Sequence, residues 1–173
     1  MILDDFSVNT SKEDVFEEVA KFLKSKGLNI FSEDRERPWG GFYALEESQI
    51  KIFKNLFFKE VDLSEEQIAG KLSPKLLIVA PKARLSWQYH FRRAELWKLI
   101  AGEALIIRSD TDVQGPAKPM LINEVVSLAQ GERHRLVGSE NWGIVAEIWI
   151  HTDPKNPSNE DDIVRVSDDY SRK

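Results

Sequence analysis

The stretch that decides the fold is SWQYHFRRAELWKLIAG, Ser86 to Gly102. Side chains on a strand alternate between faces, so Gln88 and His90 project to one side while Trp87 and Tyr89 project to the other. If Phe91 to Ala94 turns the chain into a second strand, Glu95 faces the same interior, with Trp97 and Leu99 below it. Gly102 then permits a further change of direction into Glu103 to Arg108. The reading is a bent antiparallel sheet that brings one amide, one imidazole and one carboxylate to one interior.

The same period-two rhythm continues outward in short segments bounded by Gly, Pro, Asp and Ser. The clearest are Gly41 to Leu45, Gln49 to Phe53, Leu76 to Ala80, Leu85 to His90, Glu95 to Ile100, Glu103 to Arg108, Glu124 to Ala129, His134 to Val137 and Gly143 to Ile150. Many short strands without intervening helices indicate a β-sandwich or barrel. Before Pro38 the pattern is helical. Thr10 and Glu13 have the form of a capping box, and Val15, Phe16, Val19, Ala20, Phe22 and Leu23 recur at helical spacing until Gly27, an amphipathic helix of about four turns. Ser64 and Gln67 form a second capping box heading a brief helix inserted between strands. The loop Asp110 to Pro119 is too long for a tight hairpin. Residues 1–36 are expected to form a helical extension and 37–173 a barrel.

Composition limits the chemistry. The chain has 173 residues, 42% apolar and 31% charged, with net charge −5 and no Cys. That suits one globular domain and leaves any reaction to N and O donors, without thiolate metal sites or thiol nucleophiles. The negative balance argues against nucleic acid as a partner. No apolar run approaches the roughly 20 residues of a membrane helix, and the acidic start MILDDFSVNTSKEDV is unlike a signal peptide, so a cytoplasmic, non-membrane protein is expected.

Gln88, His90 and Glu95 are three arms of a metal site. Of the three His (His90, His134 and His151), His134 follows the turn at Gly131 and opens a strand that could supply the fourth. By ligand type the set suits Zn²⁺ and equally Mn²⁺, Fe²⁺, Co²⁺ or Ni²⁺. The same side chains could instead be hydrogen-bonded polar groups on a strand face.

Gln88-x-His90, four residues, Glu95, six residues and Gly102 resembles the first motif of the cupin superfamily, and AQGERHRLV around His134 resembles the second. Four ordered pieces are similar to the isomerase domain of type II mannose-6-phosphate isomerases: RPWGGFYAL from Arg37, LSWQYHFRRAELW from Leu85, GERHRL from Gly131 and EDDIVRVSDDY from Glu160. The resemblance implies a double-stranded β-helix barrel and an ordered C-terminal tail. It further implies a divalent metal, Zn²⁺ first, held by Gln88, His90, Glu95 and His134. Arg165 is then the leading active-site cation and Glu147 the candidate base. Arg37 and Trp39 of RPWG, and Arg93 at the rim, are candidates for lining a sugar-phosphate site. A homodimer is implied by resemblance alone.

The implied activity is metal-dependent aldose–ketose isomerisation of a sugar phosphate. The alternative is a cupin that binds a sugar or small molecule without turnover, and a metal-dependent oxygenase is a more distant third. The chain departs from the family at Phe91, Arg92, Leu96 and Trp149, where polar residues are usual, and at Lys82 and Ser171, where Gly is common. The substitutions at Arg92, Leu96 and Trp149 favour the binding reading; the EDDIVR tail favours the isomerase.

Overall fold

Two long bent strands form the spine of the molecule, and they explain how nine short rhythms collapse into one barrel. The computed structural model describes residues 3 and 6–172. In chain order it contains α1 (Lys12–Ser25), β1 (Ile30–Asp34), β2 (Gly40–Leu45), α2 (Ile50–Phe57), α3 (Glu65–Ala69), β3 (Lys75–Val79), β4 (Trp87–Tyr89), β5 (Arg93–Ser109), β6 (Lys118–Pro119), β7 (Val125–Leu128), β8 (Arg133–His151) and β9 (Val164–Ser167). β5 and β8 pair antiparallel from Arg93↔His151 to Ser109↔Arg133, with irregularities at Leu99/Ala101 and Gly102/Ala104. The sheet runs β1-β2-β3-β8-β4-β9, and β6 and β7 join along β5. The fold is an antiparallel β barrel of double-stranded β-helix type with an N-terminal helix, as the family resemblance implies.

Side-chain parity sorts the core into two layers. On β3, Leu77 and Val79 point inward to Trp39, Leu85, Trp97, Leu99, Leu136 and Val145. Leu76 and Ile78 point outward, against a second cluster that includes Val15, Phe16, Val19 and Leu23 of α1 and Ile50, Phe53 and Phe57 of α2. All five residues of KLLIV are therefore buried, as expected for a strand covered on both faces. At about 1.5–3 kcal/mol per fully buried large apolar side chain, the helix layer contributes as a second core and not as decoration. Tyr43, fully buried, ties it down: its hydroxyl donates to the Phe16 carbonyl at 3.0 Å and accepts from Arg35 at 2.9 Å. Burial pushes that phenol up to about 12, so it is a protonated donor throughout the physiological range.

Four local expectations are corrected. Gln49 to Phe53 is not a strand: Ile50, Phe53 and Phe57 are spaced at helical intervals, and the five-residue window was too short to show it. Ile30–Asp34, within the stretch read as helical extension, pairs with β2 as the edge strand. Helix α1 is capped by Ser11 accepting from the Asp14 amide at 3.1 Å, one residue past the Thr10/Glu13 reading. The segments on either side of Gly102, and on either side of residues 138–142, are single continuous strands. The Ser64/Gln67 capping box forms as read. No helix among the described residues is long and apolar enough to cross a membrane.

The tail is part of the sheet: β9 pairs with β4, setting Arg165 opposite Gln88. Asp169 anchors it with ion pairs to Arg84 and to buried Arg135, both at 2.7 Å. These arginines hold the Asp169 carboxyl below its ordinary range, the Arg84 hydrogen bond contributing most. A depressed carboxyl stabilises the fold above its unfolded pKa of about 3.9 and loses that contribution as pH falls through the lower folded value. In urea titrations Asp169→Asn should therefore be less stable than wild type by an amount that is constant at neutral pH and shrinks below about pH 4. A gap that persists or widens in acid would contradict this account.

Candidate metal centre and cleft

β4, the β4–β5 turn, β5 and β8 each carry one part of the site. Gln88 on β4 stands opposite His134 on β8, and the turn returns the chain so that His90 and Glu95 converge. The Glu95 carboxylate faces both imidazoles: Oε1 lies 3.1 Å from His90 Nε2, and Oε2 lies 3.3 Å from His134 Nε2. One donor atom from each of the three lies within 4.8 Å of the others, and all three residues are buried.

The tautomers are set from behind. His90 Nδ1 lies 2.6 Å from the Asp162 carbonyl and His134 Nδ1 lies 2.9 Å from the Glu132 carbonyl. A carbonyl only accepts, so each Nδ1 carries the proton and each Nε2 presents a lone pair to Glu95. Backbone support of that kind is the usual outer-shell arrangement for a metal-ligating imidazole. Burial lowers the pKa of His90, keeping its imidazole neutral. Glu95 Oε2 and His134 Nε2 are then two buried acceptors with no hydrogen-bond donor. Facing acceptors of this kind repel unless a cation lies between them, so this His/Glu donor set fits a divalent metal; Gln88, whose Oε1 accepts from Ser86 at 2.5 Å, borders the cleft beside Glu95. The metal's identity does not follow from these residues.

Arg93 meets the same cluster from the other side. It is buried; its Nε donates to Glu95 Oε1 at 2.7 Å and its Nη1 to Ser158 at 2.8 Å, and Nη2 lies 3.2 Å from His90 Nε2. Its guanidinium carbon lies 3.7 Å from the ring centre of Trp149. Arg93 is therefore buried and not solvated at the rim as expected, yet it still borders the cleft, as a partner of Glu95 held by the turn and β5.

Around the cluster a cleft of about 630 Å³, open mouth included, is lined by Arg37, Trp39, Lys75, Glu147, Arg165 and Arg172, among others. Trp39 is buried in the barrel core and forms wall. Arg37 is ion-paired with Asp34 at 2.8 Å. Arg165 comes from β9, and its pKa is lowered by burial first and then by Arg172 and Arg37, which marks a local excess of positive charge in an acidic protein. Glu147 is held by two indoles, accepting from Trp97 at 2.9 Å and Trp149 at 3.0 Å. Burial and then the nearby Glu95 push its carboxyl up to about 7.

The departures from the motif sort by position. Phe91 is exposed, Arg92 clips the loop at Asn156, Pro157 and Asn159, and Leu96 is buried in the helix-facing layer. Of these four, Trp149 is the one that lines the cleft. Arg133 and Arg135 face away from His134, as parity requires: Arg133 lies over Tyr89, and Arg135 donates to the Leu85 carbonyl. His151 sits apart from the cluster, its Nδ1 accepting from the Ser158 amide.

Two residues of consequence escaped the sequence reading. Asp162 accepts from the Phe91 and Arg92 amides at 3.0 and 2.9 Å and from Ser158 at 2.6 Å, stapling the tail to the metal-side turn. Its signal was present in EDDIVR. Lys75 reads as one polar residue before an apolar strand, and nothing in the sequence sends its side chain to the cleft.

A double-stranded β-helix barrel with a His/Glu cluster inside its mouth defines a cupin. The barrel superposes on oxalate decarboxylase OxdC of Bacillus subtilis with a TM-score of 0.56 (13% identity, 79% of this chain and 32% of that one). It superposes on procruciferin, an 11S globulin of Brassica napus, with a TM-score of 0.53 (14% identity, 80% and 31%). At such identities the likeness is one of fold. Residues 65–168 match the family profile described as mannose-6-phosphate isomerase C-terminal, and the chain belongs to that family. It is 30% identical over 150 residues to a mannose-1-phosphate guanylyltransferase of Salmonella montevideo (87% of this chain, 26% of that protein). It is 28% identical over 157 residues to the xanthan biosynthesis protein XanB of Xanthomonas campestris pv. campestris (90% and 27%). The chain thus spans about a quarter of the length of these relatives.

Proposed function

We propose that the protein is a metal-dependent aldose–ketose isomerase acting on a sugar phosphate of the mannose 6-phosphate type. The observation that carries this reading is the pairing, in one cleft, of a carboxylate–imidazole cluster with two unfilled acceptors and a raised, indole-held Glu147. A divalent ion held by Gln88, His90, Glu95 and His134 supplies Lewis-acid stabilisation to neighbouring oxygens that become negative. Glu147 takes the proton from the carbon next to the sugar carbonyl and returns it to the adjacent carbon. Trp97 and Trp149 hold its carboxylate in place, while the remaining lone pairs stay available for the proton. Arg165, with Arg37, supplies charge for the phosphate, and the buried barrel wall excludes water. Membership of the family supports the reaction class, and three of the four departures from its motif lie outside the cleft.

One observation favours a second reading. Arg93 already gives Glu95 a cationic partner, so the same cleft could bind a sugar phosphate without turnover. Elemental analysis of protein purified without chelators, followed by a mannose 6-phosphate to fructose 6-phosphate assay, separates the two. The isomerase reading expects stoichiometric metal and turnover that falls by at least about a hundredfold in Glu147→Gln, as loss of a general base implies. Bound metal without turnover transfers the cleft to the binding reading.

A further inference from the structure

We infer that Lys75 is an anion-binding residue of the cleft, and that the Glu160 carboxylate occupies its position until a phosphate group displaces it. This rests on the sugar-phosphate reading and specifies one of its anchors.

Lys75 lies on β3 with the inward parity of Leu77 and Val79, and its side chain is 8% exposed. Its ammonium is 4.2 Å from the ring centre of Trp149 and 5.2 Å from that of Phe42. Aromatic faces favour a cation electrostatically but offer it no lone pair, so a buried lysine among them still needs a hydrogen-bonding anion. Its hydrogen-bonded partner is Glu160, through an ion pair, while Glu147, opposite it on β8, interacts with it only through charge. The two ends of that pair are unlike: the Glu160 side chain is 71% exposed and belongs to the loop leading into β9. A carboxylate so exposed is readily re-solvated, whereas Lys75 cannot leave its strand.

Glu160 also stands where three clefts adjoin. It borders the metal-side cleft together with Lys75, a second groove of about 1090 Å³ that continues past Trp149 toward Phe31, and a third that reaches Arg37 and Arg165. Withdrawing Glu160 frees the ammonium and joins the first cleft to the second. A phosphate carries more charge and more acceptor oxygens than the carboxylate it replaces, so the exchange favours the ligand. Trp149 acquires a reason: it forms one wall of the site that holds the lysine.

The test is calorimetric titration of the protein as purified with inorganic phosphate, comparing wild type, Glu160→Gln and Lys75→Met. Glu160→Gln keeps the shape and removes the competing charge, so phosphate should bind about fivefold more tightly. Lys75→Met keeps the apolar stem and should weaken binding by at least about tenfold. Phosphate affinity unchanged or lower in Glu160→Gln, or unchanged in Lys75→Met, overturns the inference. If Lys75→Met fails to fold, the exposed position 160 decides alone. Mannose 6-phosphate turnover is assayed separately: its absence with these shifts intact removes the isomerase reading and leaves the anion site.

Discussion

Purified Glu95→Gln is expected to carry less than about a tenth of the divalent metal found in wild type and to lose thermal stabilisation by added metal. Glu95 supplies the only carboxylate among the four proposed ligands, and its two oxygens face the two imidazoles at 3.1 and 3.3 Å. Gln preserves size but removes the charge and points an NH₂ at one of two Nε2 lone pairs. Metal at a hundredfold excess over its dissociation constant stabilises by about 2.7 kcal/mol, roughly 5–11 °C in thermal midpoint for a chain of this length. The variant should show none of that shift. It should also be less stable without metal, because Arg93 is left as a buried cation with its 2.7 Å partner neutralised, a loss on the order of 3–5 kcal/mol when a buried pair is broken. The metal-dependent shift separates ligation from folding, since only ligation predicts a shift in wild type that vanishes in the variant. Stoichiometric metal in Glu95→Gln would refute the ligand assignment.

Gly102→Ala is expected to destabilise the fold by about 3 kcal/mol or more, lowering the thermal midpoint by roughly 6–12 °C. At Gly102 the long strand β5 changes direction, with φ +70° and register shifts on both sides. A Cβ there would lie 1.9 Å from the Trp142 carbonyl oxygen and 3.0 Å from its carbon. Both are backbone atoms, so relief requires opening the β5–β8 ladder that spans the barrel. Gly131 is the internal control: its φ is +76°, but nothing lies within 4 Å of the added carbon. Gly131→Ala should cost only the left-handed conformation, about 1–2 kcal/mol. Equal losses in the two variants, measured by denaturant unfolding, would show that close approach of β8 is not what makes Gly102 necessary.

Much of the site was legible because strand parity is a local property. Alternation put Gln88, His90 and Glu95 on one face and sent Arg133 and Arg135 away from His134, and the structure keeps that sorting. Parity says nothing of depth, however. Arg93 was read at a rim because a turn residue is normally solvated, yet stacking on Trp149 and pairing with Glu95 draw it inside. Alternation over five residues is also too short to separate strand from helix, which is why Ile50, Ile52 and Phe53 misled while Phe57 would have settled the matter. β1 was missed because IFSED is an edge strand with mostly exposed side chains, so burial left little pattern on its sequence.

Alternation, composition and short spacing are enough to set the class of fold, the donor types available and three candidate donors within one stretch of chain, since all of these are local properties. Which distant groups share the cleft depends instead on how the strands are arranged in space. Lys75 is 85 residues from Glu160 and Asp162 is 72 from His90, and each pair meets because β3, β8, β4 and β9 lie side by side in the sheet. The chemistry of each residue is written locally, but its partner is chosen by the order of strands.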